Sequence, residues 1–320
     1  MRQLAPRPHL GVLRAPAGLL ACAVATAALA GCGLGAGNAP SAVRLTVTDD
    51  FGARPVRSWS APKVAGQETV MSLLLRNANV GTRYGGAYVS SIEGVGEGEA
   101  SGQPASWFYY VNGIEGSKGA AATTVHSGDR IWWDRHAWSQ TDSVPAVVGS
   151  FPEPFLDGIA GRRYPVRVEC EDVSGDPCQT VVQRLREAGV PARPAAITTA
   201  GDAQTLRVLV GRWSAVDGAP GAQGLARGPR ASGVYARFSA DGHTLTLLDA
   251  RGDAARRLGA GGGLIAAVRP GEQPPLWFVT GTDRAGVSAA ARAFQAPVLD
   301  DRFAVAVTPA GSALGLPVSG

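Results

Sequence analysis

Two aromatic stretches decide the fold of the N-terminal region: Ser106–Asn112 (SWFYYVN) and Arg130–Trp138 (RIWWDRHAW). Large aromatic and β-branched side chains favour strands, and both stretches contain them. Asn112-Gly113 closes the first stretch, and this dipeptide is the strongest short signal for a hairpin turn. We therefore expect two extended strands that carry aromatic rings on both of their faces.

Alternation along a strand sends neighbouring side chains to opposite faces, so Trp107 and Tyr109 share one face while Phe108 and Tyr110 share the other. One helix can cover only one face of a sheet. The second aromatic face is then either exposed, as a ligand or partner surface, or packed against the rest of the chain, and both alternatives stay open here. The candidate ligand-binding residues are Trp107, Tyr109, Tyr110, Asn112, Trp132, Asp134 and His136.

The sequence around these strands predicts one helix on a mixed sheet. Val43–Thr48 alternates strictly between apolar and polar residues, and Val56–Ser60 can pair back with it. Thr69–Ala78 has its apolar residues at helical spacing, and Ala87–Ile92 is a further strand candidate. Several strands and one helix within about a hundred residues indicate a small α+β arrangement.

Five motifs in this region carry a family resemblance: VxDDFG, ETVMSLLLRNA, YVSSIEGV, WFYYVNG and VHSGDRIWWDRH. In this order they resemble the transcobalamin-like C-terminal domain, the β-grasp-related module that ends transcobalamin and intrinsic factor. The module also occurs in bacterial exported proteins and lipoproteins. The resemblance implies a β-grasp-like domain over residues 42–140 and makes cobalamin or another corrinoid the candidate ligand. The helical-barrel partner domain of the vertebrate carriers is absent from this chain.

The second half of the chain predicts an α/β domain over residues 162–310, for which we recognise no family. Asp176-Pro177 is a helix start and Gly189 a fitting residue after the helix end, so the first of two strand–helix–strand units spans Tyr164–Val210. The second unit runs from Leu276 to Val307. Residues 311–320 are predicted to be a tail.

Two shorter segments of this half need a separate interpretation. Thr141–Gly161 contains three prolines without clear periodicity, and it is predicted to be a linker or an ordered crossover. Gly281–Gly286 (GTDRAG) follows an apolar strand, but it lacks the glycine spacing and the lysine of a phosphate-binding loop. Thr282 or Asp283 is more simply the N-cap of the next helix.

The N-terminus has the pattern of a bacterial export signal. Residues 1–14 are basic and contain no acid, and residues 15–30 are small and apolar. The run ends in Leu29-Ala30-Gly31-Cys32, which resembles the bacterial lipobox at all four positions. The resemblance implies a signal peptide over residues 1–31, diacylation of Cys32, and a tether over residues 32–41. An uncleaved anchor or an ordinary signal peptide is the alternative.

A lipidated Cys32 would place the protein on the outer face of the cytoplasmic membrane, with the lipid anchor as its membrane partner. Two cysteines, Cys170 and Cys178, remain beyond the signal, and an even pair in an oxidising compartment predicts a disulfide. A metal or redox pair is the alternative. Against this alternative, the spacing of Cys170 and Cys178 is not C-x-x-C, and no histidine or second cysteine pair lies nearby in the sequence.

Charge and motifs narrow the class of function. Without the three arginines of residues 1–31, the chain has 27 basic and 26 acidic residues, whereas a nucleic-acid binder needs a basic surface. His126 lies beside Ser127 and Asp129 in one turn, whereas a catalytic triad is assembled from separate elements. Asp134 and His136 are two ligands at most, too few for a metal site. We therefore expect neither an enzyme nor a metal site, and no cofactor.

Two functions remain in view. The first is a lipid-anchored extracytoplasmic protein that captures a small molecule, with a corrinoid as the candidate, and delivers it to a membrane importer. The second is an envelope protein that binds a protein or a wall glycan through the aromatic face.

Overall fold

The computed structural model describes residues 38–100, 102–198 and 203–319. The predicted signal peptide, Cys32 and most of the predicted tether lie outside the described residues. The described residues belong to one compact unit. Among them, no helix has the length and apolar character needed to cross a bilayer. The fold is mixed α+β, as predicted.

The N-terminal region folds as one helix on a mixed sheet. The sheet has the strand order β2-β1-β9-β7-β6, with β8 paired to β7, and β1 is parallel to β9 while the other pairings are antiparallel. A small antiparallel sheet, β3-β4-β5, stands beside it. The elements are β1 (Arg44–Asp49), β2 (Arg54–Trp59), α1 (Val70–Asn77), β3 (Val80–Arg83), β4 (Tyr88–Ile92), β5 (Val95–Gly96), β6 (Gly98–Ala100), β7 (Gln103–Val111), β8 (Ile114–Glu115) and β9 (Arg130–Ala137).

Local sequence explains the helix and the hairpin turn of this region. The Thr69 hydroxyl accepts from the backbone N–H of Ser72, and the Ser72 hydroxyl accepts from the backbone N–H of Thr69, which makes a capping box at the start of α1. The β7–β8 turn has positive φ at both central positions, 53° at Asn112 and 76° at Gly113. Positive φ at both positions is typical of a type I′ turn, so the hairpin prediction is confirmed.

The C-terminal region contains a seven-stranded sheet of order β11-β10-β12-β17-β16-β18-β19 and a separate antiparallel sheet, β13-β14-β15. Its first four strands are parallel, and both predicted strand–helix–strand units are present. The elements are β10 (Val166–Cys170), α2 (Asp176–Glu187), β11 (Ala192–Ala196), β12 (Leu206–Arg212), α3 (Trp213–Val216), α4 (Ala222–Arg227), α5 (Pro229–Ser232), β13 (Ala236–Phe238), β14 (Leu245–Leu248), β15 (Ala254–Leu258), β16 (Gly263–Val268), β17 (Leu276–Gly281), α6 (Arg284–Ala293), α7 (Ala296–Leu299), β18 (Ala304–Val307) and β19 (Ala313–Leu316).

A disulfide joins Cys170, the last residue of β10, to Cys178 in the first turn of α2. Their Cα atoms are 5.8 Å apart, within the range that a disulfide spans. The helix begins with Pro177 in its first turn and is followed by Gly189 with a φ of 86°, as the sequence indicates. The disulfide therefore fixes the crossover where the chain leaves the sheet.

The segment 141–161 is an ordered crossover, the second of its two predicted forms. Val144, Val147 and Phe151 are buried. The backbone N–H of Val147 donates to the carbonyl of Gly113, and that of Val148 donates to the carbonyl of Phe303. The segment therefore contacts both halves of the chain.

The two halves also share a hydrophobic core, in which Tyr110 and Trp132 lie with Phe303 of the C-terminal region. The division of the chain into two domains stays a prediction from the sequence.

Glu153 lies buried in this crossover, 2% exposed, where its carboxylate accepts from the backbone N–H of Asp157 at 2.8 Å. Burial raises the pKa of Glu153 to about 7, and the charges of Asp157 and Asp129 act in the same direction while Arg130 opposes them. The folded state thus holds this proton more tightly than the unfolded chain does. The resulting stabilisation is complete below 4.5, the ordinary pKa of a glutamate, and is lost as the pH rises to about 7.

We predict that Glu153→Gln makes the free energy of unfolding fall less steeply between about pH 5 and pH 8, by roughly 2–3 kcal/mol over that range. Urea unfolding at a series of pH values measures the effect. Glu272→Gln, at a side chain that is 84% exposed, is the control and should leave the pH profile unchanged. Identical profiles for the two variants would show that Glu153 does not titrate in this range.

Candidate functional site

Strand alternation divides the aromatic candidates as the sequence predicts. Trp107 and Tyr109 lie with Trp133 in the core beneath α1, together with Leu73 and Leu74 of that helix. The opposite face of the same sheet belongs to a different core. Tyr110 and Trp132 pack there against side chains of the C-terminal region, and the covering residues include Tyr235 and Phe303.

Both aromatic faces are therefore covered, and the first of the two alternatives, an exposed aromatic surface, is not observed. The alternative left open by the sequence, packing against the rest of the chain, is the one observed. Trp107 Nε1 and the Tyr110 hydroxyl are buried without a hydrogen-bond partner among the described residues. These two rings therefore serve to fill the hydrophobic core. The seven candidates are 0–8% exposed: Trp107, Tyr109, Tyr110, Asn112, Trp132, Asp134 and His136.

The polar candidates are occupied by structural hydrogen bonds. Asn112 Nδ2 donates to Asp129 Oδ1 and to the carbonyl of Gly158, both at 2.8 Å, and its Oδ1 accepts from the backbone N–H of Arg130. Asn112 thus joins the hairpin turn to the start of β9 and to the crossover. Its role in ligand binding has no support in this arrangement.

Asp134 is fully buried, and its carboxylate is a hub that accepts hydrogen bonds from several donors. Its carboxylate accepts from the backbone N–H groups of Phe51 at 3.1 Å and Gly52 at 2.9 Å, and from the Thr48 hydroxyl at 2.5 Å. The Nδ1 atom of His136 lies 2.8 Å from Asp134 Oδ1. Within the described residues, no cluster of three or more histidine, cysteine or acidic residues could hold a metal ion.

A cavity in which charged and polar side chains converge lies elsewhere, at the carboxyl ends of β10 and β12. It encloses about 430 Å³. We name it the strand-end crevice. It is lined by Glu171, Asp172, Ser174, Gly175, Asp176, Pro177, Cys178, Val210, Gly211, Arg212, Arg284, Val287 and Ser288.

Sheet topology creates this crevice. The connection from β10 leads through α2 to β11, toward one edge of the sheet, whereas the connection from β17 leads through α6 to β18, toward the opposite edge. Both helices pack on the same face of the sheet, where their apolar side chains share one core. Where the direction of winding reverses, the loops diverge and leave a space at the carboxyl ends of the strands. The N-terminal turns of α2 and α6 form its two walls. Ligands of open α/β sheets bind at such positions.

One ion pair defines the floor of the strand-end crevice. Glu171 Oε1 accepts from Arg212 Nε at 2.8 Å and from Nη2 of the same guanidinium, and Glu171 Oε2 accepts from the Arg212 backbone N–H at 2.9 Å. The hydrogen bond from the Arg212 side chain lowers the pKa of Glu171, and the charge of Arg284 acts in the same direction. Glu171 is therefore a carboxylate at neutral pH.

Arg284 supplies a second cation. It is exposed at the start of α6, and among the described residues it has no carboxylate within ion-pair distance. The preceding Asp283 is the N-cap of α6 and accepts from the backbone N–H of Gly286 at 2.8 Å, which confirms the cap prediction. The crevice therefore offers one unpaired guanidinium beside an ion pair, the carboxyl groups of Asp172 and Asp176, and the hydroxyls of Ser174 and Ser288.

Sequence reasoning missed this site because its residues are polar and scattered. One signal was present: Glu171 and Arg212 each stand at or just after the end of a predicted parallel strand. Residues at the carboxyl ends of neighbouring parallel strands converge at one edge of the sheet. The order of the strands, which decides whether they are neighbours, could not be taken from the sequence.

Comparison with protein families gave one match: residues 67–137 match a domain of unknown function (DUF4430). The matched residues begin just before α1 and end with β9, so they include both aromatic strands. No curated protein and no solved structure matches the chain.

We predict that Asp134→Asn lowers the free energy of unfolding by about 3 kcal/mol, because an amide of the same shape cannot accept from all the donors that surround the carboxylate. Urea unfolding measures the loss. Asp142→Asn, at an exposed position, is the control and should change stability by less than about 0.5 kcal/mol. Equal stabilities of the two variants would contradict the role of Asp134 as a hub.

Proposed function

We propose that the chain is a lipid-anchored extracytoplasmic binding protein that holds a small polar molecule in the strand-end crevice. The observation that carries this proposal is the crevice itself, where an unpaired guanidinium, an ion pair and two hydroxyls converge at a winding reversal of the sheet. Its volume of about 430 Å³ lies within the range of small-molecule sites.

Arg284 indicates the chemistry of the bound group. A guanidinium without a carboxylate partner attracts an anion and can bind carboxylate or phosphate oxygens through two parallel hydrogen bonds. Glu171 is hydrogen-bonded to Arg212, and within the described residues it forms no ion pair with Arg284.

The lining also includes the carboxyl groups of Asp172 and Asp176, and the Ser174 hydroxyl donates to Asp172 Oδ1. The proposed ligand therefore has an anionic group for Arg284 and hydrogen-bond donors for these carboxyl groups, and the Ser288 hydroxyl orients a neutral polar atom.

A corrinoid is the first ligand to test, with the strand-end crevice holding only its phosphate-bearing arm, because a cavity of about 430 Å³ is too small for the whole molecule. The motifs of the N-terminal region resemble the transcobalamin-like C-terminal domain, and the DUF4430 match covers residues 67–137, a domain associated with transcobalamin-like proteins. Cobalamin contains a phosphodiester, which gives it the anionic group that Arg284 requires, whereas cobinamide lacks that bridge to the nucleotide base. In this proposal the N-terminal region is a support for the binding unit, because its aromatic rings lie inside the core.

The second function considered from the sequence, an envelope protein that binds through the aromatic face, needs rings at the surface. The described residues provide none on β7 or β9 among the seven candidates. Within the part of the chain that the structure describes, the exposed large apolar side chains are Leu75, Tyr84, Trp138 and Val173. We therefore propose only the binding function, with a membrane importer as the partner that receives the ligand.

We predict that the full chain binds cobalamin saturably in equilibrium dialysis, and that Arg284→Gln weakens this binding about tenfold or more, since a hydrogen bond to a charged group contributes about 1.5–3 kcal/mol. Arg292→Gln, in the last turn of the same helix and outside the crevice, is the matched control and should bind as the unaltered chain does.

Cobinamide tests the anionic group within the same experiment, and it should bind more weakly than cobalamin. Cobalamin affinities that are equal in the two arginine variants would place the site outside the strand-end crevice. The absence of saturable binding for both corrinoids would remove this ligand class from the proposal.

The anchor has its own test. We predict that Cys32→Ala abolishes incorporation of radiolabelled palmitate in a bacterial host, because Cys32 carries the only sulfur at the lipobox position. Cys22→Ala, within the apolar run of the signal, is the control and should keep the label. Label that persists in Cys32→Ala would show that the lipid is attached elsewhere.

A further inference from the structure

A second cavity, of about 420 Å³, lies between the strands β15 and β19 and the β1–β2 turn. We name it the edge groove. It shares no lining residue with the strand-end crevice. It is lined by Phe51, Ala53, Ala255, Arg256, Arg302, Ala313, Leu314, Gly315, Pro317, Val318 and Ser319.

The charges of the edge groove are all of one sign. Arg256 and Arg302 line it, and no lining residue is acidic. Among the described residues neither guanidinium is within ion-pair distance of a carboxylate. Two such cations beside one cavity favour an anion, and guanidinium groups suit the planar or tetrahedral oxygens of carboxylates, sulfonates and phosphates.

Strand pairing directs Arg256 toward the groove. In the antiparallel pair β14–β15, Arg256 stands opposite Leu247, and the next residue, Arg257, stands opposite Thr246. Residues directly opposite share a face of the sheet. Leu247 is fully buried in the core. Arg256 therefore lies on the core-facing side of this sheet, at its edge, whereas Arg257 lies on the outer side.

Gly315 positions the second cation. A Cβ atom built on Gly315 would lie 2.9 Å from Cδ of Arg302 and 3.0 Å from its Nη1. The arginine side chain thus lies directly on the backbone of β19, in space that any larger residue at position 315 would fill. A side chain held against a strand loses less freedom when it binds a ligand, so this guanidinium is partly preorganised.

The remaining lining is apolar. Phe51 is 3% exposed, and Leu314 and Val318 pack against the same core as Phe51. A neighbouring cavity of about 600 Å³ shares Ala53, Pro317, Val318 and Ser319 with the groove, and its lining includes two carboxyl groups, those of Asp50 and Asp249, against one guanidinium, that of Arg251. An anionic group is therefore favoured at the arginine end and disfavoured at the other end, while the apolar floor accepts a hydrophobic body.

We propose that the edge groove binds a small amphipathic anion, with its acidic group on Arg256 and Arg302 and its apolar body on Phe51, Leu314 and Val318. This site is independent of the strand-end crevice and of the ligand proposed for it. A single ring system or a short acyl chain fits a cavity of this size, which is at the small end of ligand sites.

Naphthalene-2-sulfonate is the probe for this proposal, and naphthalene-2-sulfonamide is its neutral counterpart. Calorimetric titration of the full chain in nanodiscs of zwitterionic lipid, with empty nanodiscs as the blank, measures both. We expect saturable binding of the sulfonate and at least about tenfold weaker binding of the sulfonamide. Arg302→Gln and Arg256→Gln should each weaken the binding of the sulfonate about tenfold.

Arg257→Gln is the matched control, one residue along the same strand on the other face, and should bind the sulfonate as the unaltered chain does. Arg302→Lys keeps the charge and should retain most of the affinity even if the glutamine variant is poorly folded. Equal binding of the sulfonate by the Arg256→Gln and Arg257→Gln variants would overturn the proposal, and so would equal binding of the sulfonate and the sulfonamide.

Discussion

The carboxylate of Asp134 is the constraint on which the arrangement of the two halves depends. It lies at the centre of β9 and receives the backbone N–H groups of Phe51 and Gly52 from the β1–β2 turn. That turn has positive φ at three successive residues, Asp50, Phe51 and Gly52, a conformation that backbone sterics alone disfavour. A buried anion that accepts from two of its N–H groups compensates the strain. The turn then projects the Phe51 ring toward Tyr235 and Phe303 of the C-terminal region.

This arrangement explains which parts of the fold were predictable. Strand alternation placed the rings of β7 and β9 on the correct faces, and the Asn112-Gly113 turn and both strand–helix–strand units appear where the sequence indicates. These are local properties, fixed by dihedral preferences and by periodicity. The strand β11 (ARPAA) was missed because it contains a proline and does not alternate, which is tolerated at the edge of a sheet.

The candidate site was far less predictable, since it depends on contacts between distant segments. The Phe303 ring covers the Trp132 ring at a centroid distance of 5.2 Å, although Trp132 lies 171 positions earlier in the sequence. No local sequence pattern predicts such a contact. The same holds for Glu171 and Arg212, which meet only because β10 and β12 are neighbours in the sheet. Aromatic density in a sequence marks large buried volume as readily as it marks a binding surface, and here the covering half of the chain decides between them.

The bond between Cys170 and Cys178 also has a consequence for when the protein can work. Cys178 is both a partner in that bond and part of the wall of the strand-end crevice. The wall at the start of α2 is thus covalently tied to the end of β10. Before oxidation, only non-covalent contacts hold the intervening loop in place. Under the proposed export of the chain, the finished crevice would form only after the chain has left the reducing cytosol, and thiol chemistry would confine the proposed ligand capture to the compartment outside the membrane.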